Sequence, residues 1–410
     1  MSTAAPVEIQ IAAEDQNSFG AIVRARWEAL KGGDVGSLPV IIGIIGIGLY
    51  FTLKTDIFFS AVNFTNLIGQ MAGVTVIGMG IVFVLLIGEI DLSVGFVSGV
   101  AGVTVAELQL PGSGHQFPGL VAIACAIAVG AVIGLVQGSF VAILGVPSFV
   151  VTLAGLLIWQ GVILNLLGTQ GVIGIEDRLI NDIELYLLPA NVGWIVAGIF
   201  SAGLAATALA GYVSRKRAGL PAGNITLIVI RVLFFSGLVF AAFAVANHSR
   251  GMPVVALIIL FLVAILSFLA TRTSFGRHVY AVGGSAEAAR RAGINVARVR
   301  ILCFMICSSM AAFGGVIFAS YLNSVDLTAG GGTILLDSIS AAVIGGVSLF
   351  GGRGRVSGAL FGGIIIGMIA NGIDSIGYSD AVKYITTGVI LLAAVTLDTL
   401  LRRRQVAAGR

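Results

Sequence analysis

Residues 119–144 read GLVAIACAIAVGAVIGLVQGSFVAIL, an unbroken stretch without a single charged side chain. A helix of about 20 apolar residues is long enough to cross the roughly 30 Å hydrocarbon core of a membrane. Within this stretch, Gly130, Gly134 and Gly138 recur at every fourth position and therefore share one helical face. Small residues at this spacing let membrane helices approach closely. The stretch therefore predicts a transmembrane helix that packs tightly against a neighbour.

The rest of the chain repeats this pattern. Of its 410 residues, 58% are hydrophobic and only 10% are charged, whereas a soluble domain carries about 25% charged residues. We predict an all-α, polytopic membrane helix bundle of about 10–12 transmembrane segments. The first, third and tenth apolar segments are short, and the third segment and the region 334–373 suit re-entrant or broken helices. The twelve candidate segments are 38–53, 70–88, 93–108, 119–144, 148–168, 191–212, 224–246, 252–271, 299–321, 334–350, 356–373 and 381–401.

The basic residues predict the orientation of these segments. If the N-terminus lies in the cytoplasm and every segment crosses once, 18 Lys and Arg residues fall on the inner side and 4 on the outer side. Cytoplasmic loops are enriched in these residues. Both termini are therefore predicted to be inside, with residues 1–37 and 402–410 as cytoplasmic tails around a membrane domain over 38–401. Residues 19–31 suit either an amphipathic helix on the membrane surface or an unstructured part of the tail.

The charges of the loops favour no nucleic-acid partner. The formal net charge is +4, but the basic residues are spread over many loops, as the positive-inside rule produces. The main outer loop, 169–190, carries an acidic excess that suits either a docking surface or, more simply, a solvated loop. Its acidic residues are Glu176, Asp177, Asp182 and Glu184.

The segment GEIDLSVG, residues 88–95, interrupts an apolar run with two carboxylates, Glu89 and Asp91. A charge at membrane depth costs several kcal/mol by most estimates. One interpretation is a proton or ion relay. The other is a helix break, in which Asp91 or Ser93 caps a helix that begins near Val94. The predicted topology places this segment at the inner boundary, where charges are hydrated, and so favours the helix break.

The predicted cytoplasmic segment 272–300 contains a short helix. Gly283–Gly284 predicts a turn, and Ser285 is placed to cap the helix that follows. Glu287 lies near the positive end of the helix dipole, and Gly293 is a suitable stop residue. From composition alone, this helix suits an ordinary connection as well as a surface that docks into a partner.

Four stretches together carry a family resemblance. The chain resembles the permease subunits of bacterial ATP-binding-cassette importers for monosaccharides, the family of ribose, arabinose, galactose and xylose permeases. The segment 213–253 adds a basic loop and a pair of spans beyond the shorter ribose-type members, and this layout is most similar to the xylose permease branch. The sugar stays open. The four stretches are GEIDLSVG at 88–95, VPSFVVTLAGLL at 146–157, TSFGRHVYAVGGSAEAARRAGINV at 273–296 and AAVIGGVSLFGGRGRVSGALFG at 341–362.

The resemblance implies a transport subunit in the bacterial cytoplasmic membrane rather than an enzyme. It implies four kinds of partner: cytoplasmic ATPase subunits, a periplasmic or extracellular sugar-binding protein, a second permease copy that forms a homodimer, and membrane lipid. Within 88–95 it assigns a structural motif to Glu89, Asp91, Ser93 and Gly95. The residues that it implies couple the chain to the ATPase are Gly283, Gly284, Ser285, Glu287, Ala288, Ala289 and Gly293.

The chain has no nucleotide-binding motif of its own. It contains no Gly-Lys dipeptide, so the phosphate-binding sequence GxxxxGK[ST] cannot occur. The three Cys and three His residues are scattered, apart from Cys303 and Cys307 on one helix face, and predict no metal site. We therefore expect no cofactor on this chain, with ATP used by a partner.

Two functional questions stay open at this level. An ion-coupled secondary sugar transporter is the alternative function, and it would use intramembrane carboxylates at Glu89, Asp91, Asp337 and Asp374. The residues along the substrate path are unknown. Polar residues within spans could line it, although hydrogen bonds between helices are the simpler interpretation. These residues are Gln137, Thr152, Asn165 and Asn371.

Overall fold

The computed structural model describes residues 38–110, 116–220 and 224–407. The predicted N-terminal tail, with its amphipathic stretch, lies outside the described residues. The chain divides into two compact units. One contains residues 188–252, and the other contains residues 37–187 and 253–399.

Among the described residues, 8 helices are long and apolar enough to cross a membrane. They follow from long apolar runs that no proline or charge cluster interrupts. Together with the near absence of strands, they confirm the predicted all-α polytopic bundle. These helices are α2 (Ala61–Leu86), α4 (Gly119–Ala142), α5 (Ser148–Leu167), α7 (Ala190–Arg217), α8 (Ile225–His248), α9 (Val254–Arg272), α12 (Val296–Leu322) and α14 (Val356–Ile376).

Three apolar helices are shorter. They are α1 (Leu38–Lys54), α3 (Val94–Leu108) and α13 (Ile334–Ile344), with 17, 15 and 11 residues. They coincide with the first, third and tenth predicted segments. At 1.5 Å per residue, α13 is only about 17 Å long and covers about half of the hydrocarbon core. The expectation of a broken helix in the region 334–373 is therefore confirmed for α13, whereas α14 is full length.

The remaining elements are connections and the last helix. Helix α15 continues to Ala407, into the predicted C-terminal tail. Strands β1 and β4 form an antiparallel ladder in which Val172 pairs with Asp326. The bounds are β1 (Val172–Gly174), α6 (Arg178–Leu185), β2 (Leu187–Leu188), β3 (Met252–Pro253), α10 (Ser274–Gly284), α11 (Ala286–Arg291), β4 (Ser324–Asp326) and α15 (Asp380–Ala407).

Helices α7 and α8 form the smaller unit and pack antiparallel. The ring of Trp194 on α7 stacks on Phe240 of α8 with centroids 6.2 Å apart. The Asn247 amide donates to the carbonyl of Ala190, 3.4 Å away, and this contact joins the end of α8 to the start of α7.

Contacts in the larger unit join segments that the charge pattern places on the same side. On the predicted outer side, the β1–β4 ladder joins loop 169–190 to the segment after α12. The backbone N–H of Gly119 donates to the Asp177 carboxylate at 3.0 Å, which ties the start of α4 to the same loop. On the predicted inner side, the N–H of Gly352 donates to the carbonyl of Leu86 at 2.8 Å. The alternation of sides predicted from charge is therefore consistent with the packing.

The glycine face of α4 packs directly on α12, which is the most extensive helix contact of the chain. A Cβ atom at Gly134 would lie 2.7 Å from the Cα of Met305, and one at Gly138 would lie 2.9 Å from the Cα of Ile301. Both distances are shorter than real Cβ contacts allow. The two backbones can approach this closely only because these positions lack side chains.

Candidate functional site

Helix α10 leads into residues 283–293, which carry the predicted coupling residues and form the coupling segment. The helix is held at both ends. At its start, the Thr273 hydroxyl accepts from the N–H of Gly276 at 3.1 Å. At its end, Gly283 and Gly284 are still helical. The turn predicted at this pair is wrong, because the helix continues through both glycines and breaks only at Ser285, which has extended backbone angles.

Gly283 has a packing role instead. It lies against the carbonyl of Leu86 at the end of α2. A Cβ atom there would also lie 2.6 Å from the backbone nitrogen of Gly352. The Tyr280 hydroxyl adds a hydrogen bond of 2.8 Å to the carbonyl of Gly354. The glycine thus lets α10 sit directly on the inner end of α2 and on the loop before α14.

Helix α11 begins and ends at the predicted residues. The Ser285 hydroxyl accepts from the N–H of Ala288 at 3.2 Å. At the other end, Gly293 has a φ of 83°, the left-handed conformation that glycine adopts most easily. Its N–H bonds the carbonyl of Arg290, and the N–H of Ile294 bonds that of Ala289, both at 3.0 Å. This pair of bonds is the Schellman motif, which satisfies the free carbonyls of a helix end.

The side chains of α11 separate into an inward and an outward set. Ala289 is buried, with 4% exposed, and faces the rest of the chain. Glu287 is exposed and forms ion pairs only within its own helix, at 3.2 Å to Arg291 and 3.8 Å to Arg290. Exposed pairs of this kind hold side chains weakly. Of the predicted coupling residues, Gly284, Ser285, Glu287, Ala288 and Gly293 are exposed, and the exposed side chains of Arg290 and Arg291 lie beside them. These residues form the outward set.

An ion pair connects the 88–95 segment to the helix that follows the coupling segment. The Arg300 guanidinium, near the start of α12, lies 3.2 Å from the Glu89 carboxylate. Both side chains are mostly buried, with 27% and 15% exposed. A pair with limited solvent contact is screened less than a surface pair. Glu89 therefore joins α12 to the turn between α2 and α3 on the inner side.

Asp91 and Ser93 form a buried hydrogen-bonded group. Asp91 Oδ1 accepts from the N–H of Ser93 at 2.9 Å and from its hydroxyl at 2.7 Å. Ser93 Oγ also lies 3.0 Å from the Gln137 amide nitrogen of α4. Helix α3 begins at Val94 as predicted, but neither side chain caps its first turn. The physical reason is that the Ser93 hydroxyl is engaged by Asp91 and Gln137.

Gly95, the last residue of the motif, permits a close backbone contact within the membrane domain. A Cβ atom at this position would lie 2.7 Å from the carbonyl oxygen of Gly330. Gly330 belongs to the non-helical segment before α13. The motif 88–95 thus touches both the inner connections and the broken-helix region.

The four carboxylates of the ion-coupled alternative do not form one group, although Asp337 and Asp374 both interact with Lys383. Glu89 pairs with Arg300, and Asp91 bonds Ser93. Asp374 is exposed and lies 3.9 Å from the Lys383 ammonium. Asp337 is buried on α13. Within the described ranges, no three His, Cys, Asp or Glu side chains gather closely enough to hold a metal ion.

Three of the four polar residues proposed for the path form buried hydrogen bonds. Asn371 donates to Asn63 at 3.0 Å and to Gln70 at 3.1 Å, which joins α14 to α2. Gln137 bonds Ser93, and Thr152 bonds the carbonyl of Ser148 at 2.9 Å within α5. The interhelical interpretation is therefore confirmed for Asn371 and Gln137. Asn165 is exposed on α5.

The outer loop contains a buried carboxyl group that the sequence analysis missed. The interpretation of 169–190 as a solvated loop is wrong for Glu184, because α6 packs on the membrane domain and leaves this residue only 6% exposed. Its N–H donates to the Ser320 hydroxyl at 3.1 Å. Its carboxyl group lies against Gly69 of α2, where a Cβ atom would come within 3.1 Å of Glu184 Cδ. In the sequence, this contact is indicated only by a glycine, Gly69, near the outer end of α2.

Burial raises the pKa of Glu184 from 4.5 to about 8. The folded chain therefore binds this proton more tightly than the unfolded chain. Stability is highest below pH 4.5 and falls as the pH rises from 4.5 towards 8, because ionisation is easier in the unfolded state. We expect a loss of at most about 5 kcal/mol over this window, because each pH unit between the two pKa values contributes about 1.4 kcal/mol. Melting temperatures of the purified chain between pH 5 and pH 9 test this.

The matched variants are Glu184→Gln, which cannot ionise, and Glu176→Gln, which alters an exposed residue of the same loop. With Glu184→Gln, the melting temperature should fall less as the pH rises. With Glu176→Gln, it should fall as much as in the wild type. Equal slopes in all three proteins would contradict the assignment to Glu184.

Comparisons with known proteins place this architecture in a family. The family model described as "Branched-chain amino acid transport system / permease component" matches residues 63–395. The xylose transport system permease protein of Escherichia coli is 35% identical over 406 residues, which cover 98% of this chain and 100% of that protein. Its counterpart in Haemophilus influenzae is 34% identical over 384 residues, 90% of this chain and 98% of the relative.

More distant relatives extend the same pattern. The ribose import permease protein of Escherichia coli is 31% identical over 355 residues, which cover 87% of this chain and 91% of that protein. No solved structure gives a significant match.

The family match covers most of the chain, and it includes both the 88–95 motif and the coupling segment. It agrees with the apolar helices, which make the protein a multi-pass protein of the cytoplasmic membrane. This chain belongs to the permease-component family of the branched-chain amino acid transport systems, in which its similar relatives are xylose and ribose permeases.

Proposed function

We propose that this chain is the membrane-spanning subunit of an ATP-binding-cassette importer for a monosaccharide, and that the sugar is a pentose such as xylose. The observation that carries the proposal is the similarity to the Escherichia coli xylose permease over 98% of this chain and the whole of that protein. A relationship that extends from end to end includes the loops as well as the spans. The pair α7–α8, which the sequence analysis identified as an addition to the ribose-type layout, is therefore part of the shared arrangement.

The proposed partners are those that the family resemblance implies, and one feature of the sequence agrees with them. No GxxxxGK[ST] sequence is present, so ATP must be bound by another chain. A cytoplasmic ATPase pair, a sugar-binding protein on the outer side and a second copy of this permease complete the importer. The side chains of the outward set are exposed, and their ion pairs among the described residues are confined to α11, which suits docking into a groove of the ATPase.

Alternating access is the proposed mechanism. ATP closes the two ATPase subunits and moves the two α11 helices with them. Within each chain, the contact of Gly283 with Leu86 and the ion pair of Glu89 with Arg300 connect the coupling segment to α2 and α12. Through these contacts, a displacement of α11 would move the inner ends of α2 and α12 together. The sugar then leaves towards the cytoplasm.

The ion-coupled alternative has less support. It requires carboxylates that act together, whereas Glu89 is paired with Arg300 and Asp91 is bonded to Ser93. Among the described residues, only Asp337 and Asp374 have a common partner, Lys383.

Growth and uptake test the proposal. A bacterial strain that lacks its own xylose transport genes would receive this chain, its ATPase and its binding protein. We expect ATP-dependent uptake of labelled xylose and growth on xylose, with slower uptake of ribose and fructose. A strain that receives the ATPase and binding protein without this chain is the control. Uptake of a branched-chain amino acid but no sugar would contradict the proposed cargo.

A further inference from the structure

A cavity of about 420 Å³ lies among α3, the outer end of α12, the segment 324–334 and α15. This volume falls within the range of about 300–1,000 Å³ typical of small-molecule sites. Much of the wall is backbone, because six lining positions, Gly332 among them, carry no side chain. The other five are Gly99, Gly102, Gly315, Gly330 and Gly331.

The cavity reaches into the membrane because the chain between β4 and α13 is not helical. This segment leaves the outer ladder at Asp326 and descends to Gly330, whose carbonyl lies against Gly95 of α3. Helix α13 then begins at Ile334, too late to span the core by itself. Non-helical backbone at membrane depth is tolerated where it is buried in protein or lines a cavity. Transporters place substrate sites at such broken helices.

The polar groups of the wall suit a neutral, hydroxylated ligand. Asp326 Oδ1 accepts from the N–H of Thr328 at 2.8 Å and from its hydroxyl at 2.7 Å. These two bonds fix the carboxylate and engage only one of its oxygens. Oδ2 therefore remains to accept from ligand hydroxyl groups. Tyr384 also lines the cavity, and its hydroxyl lies 3.9 Å from where a Cβ atom of Gly332 would be. A tyrosine offers both an apolar ring face and a polar hydroxyl.

Charge distinguishes between small ligands. The lining residues include Asp326 but no Lys, Arg or His among the described residues. An anionic ligand would therefore meet a like charge without a counter-ion among these residues, which disfavours it. A sugar carries no such charge.

We propose that this cavity is a sugar-binding station on the outer half of the transport path, in which Asp326 accepts from sugar hydroxyls and Tyr384 covers one face of the ring. The inference rests on the proposed function and adds the binding residues to it. The station receives sugar released by the binding protein before the inner side opens.

The test measures ATP-dependent xylose uptake by the complete importer in proteoliposomes. Asp326→Asn keeps the size of the side chain and its bonds to Thr328 but removes the charge. Tyr384→Ala removes the ring. We expect each to lower uptake about tenfold, the factor that follows from losing a hydrogen bond to a charged group or a ring contact. The matched controls are Asp56→Asn and Tyr378→Ala, which make the same changes at exposed residues outside the cavity and should leave uptake unchanged.

A second readout separates binding from a structural role. Uptake of xylose analogues that each lack one hydroxyl is measured for the wild type and for Asp326→Asn. For the analogue that lacks the hydroxyl bound by Asp326, the two proteins should transport at equal rates. A merely structural effect would lower the uptake of every analogue by the same factor and would overturn the proposal.

The outcomes also separate this inference from the proposed function. If the wild-type importer transports no sugar, the proposed function fails. If it transports xylose and the Asp326 and Tyr384 variants match their controls, the function stands and the cavity is not the binding station.

Discussion

Replacing Gly134 with leucine should abolish the stable fold of the membrane domain. The Cβ atom alone would come within 2.7 Å of the Cα of Met305, and it would also fall on the carbonyl of Phe304. Backbone atoms cannot rotate away as a flexible side chain can, so α4 and α12 must separate. Overpacking typically costs about 1–3 kcal/mol and occasionally more. We expect a loss at or above the upper end, seen as aggregation in detergent on size-exclusion chromatography after mild heating.

A matched control distinguishes the close contact from helix propensity. At Gly46 of α1, an added Cβ atom would meet nothing within 4 Å. Gly46→Leu should therefore leave the elution profile unchanged, and Gly134→Ala should have an intermediate effect. A Gly134→Leu protein as stable as Gly46→Leu would show that α4 and α12 do not approach in this way.

Replacing Ala288 with tryptophan should stop sugar uptake while the chain still folds. Ala288 is exposed on α11 and belongs to the outward set, so a large side chain there disturbs no internal contact of this chain. It would keep α11 from seating in the ATPase. A loss of about 1.4 kcal/mol in docking lowers the affinity tenfold, and we expect uptake to fall at least about that much. Co-purification of the ATPase and uptake of labelled xylose provide the two measurements.

The control is Ala218→Trp, which changes an exposed alanine in the other long loop predicted to be cytoplasmic. It should fold, retain the ATPase and transport normally. If Ala288→Trp does the same, α11 is an ordinary connection and the coupling assignment of its residues is wrong.

The spans could be predicted because their information is local. The length of an apolar run sets the length of a membrane helix, so even the short helices α1, α3 and α13 were recognisable. The glycines of α4 likewise predicted a close helix contact, although they did not identify α12 as the neighbouring helix. Ser285 and Gly293 marked the ends of α11 because caps and left-handed glycines are local signals too.

Other features depend on contacts between distant parts of the chain. Gly283–Gly284 suggested a turn, but packing against Leu86 favours a continuous helix there. The acidic composition of loop 169–190 predicted a solvated Glu184. The loop itself does not show that Gly69, on a distant helix, leaves room for the carboxyl group. Ser93 stood at the right position for a cap, and Gln137, more than forty positions away, engages its hydroxyl.

The cavity was also beyond the sequence analysis. Asp326, Thr328 and Tyr384 come from a loop and a distant helix, and only the non-helical path of the chain before α13 brings them to one space. One signal was available, because three consecutive glycines at 330–332 are unusual at the start of a membrane helix. Such a run indicates a segment that approaches other backbone closely.

The source of energy is the measurement that tests the central claim most directly. Proteoliposomes would contain this chain with its ATPase, with the binding protein and labelled xylose on the opposite side. We predict uptake that requires both ATP and the binding protein and that continues when ionophores collapse the proton and sodium gradients. Uptake that proceeds without ATP and stops when a gradient collapses would contradict the account.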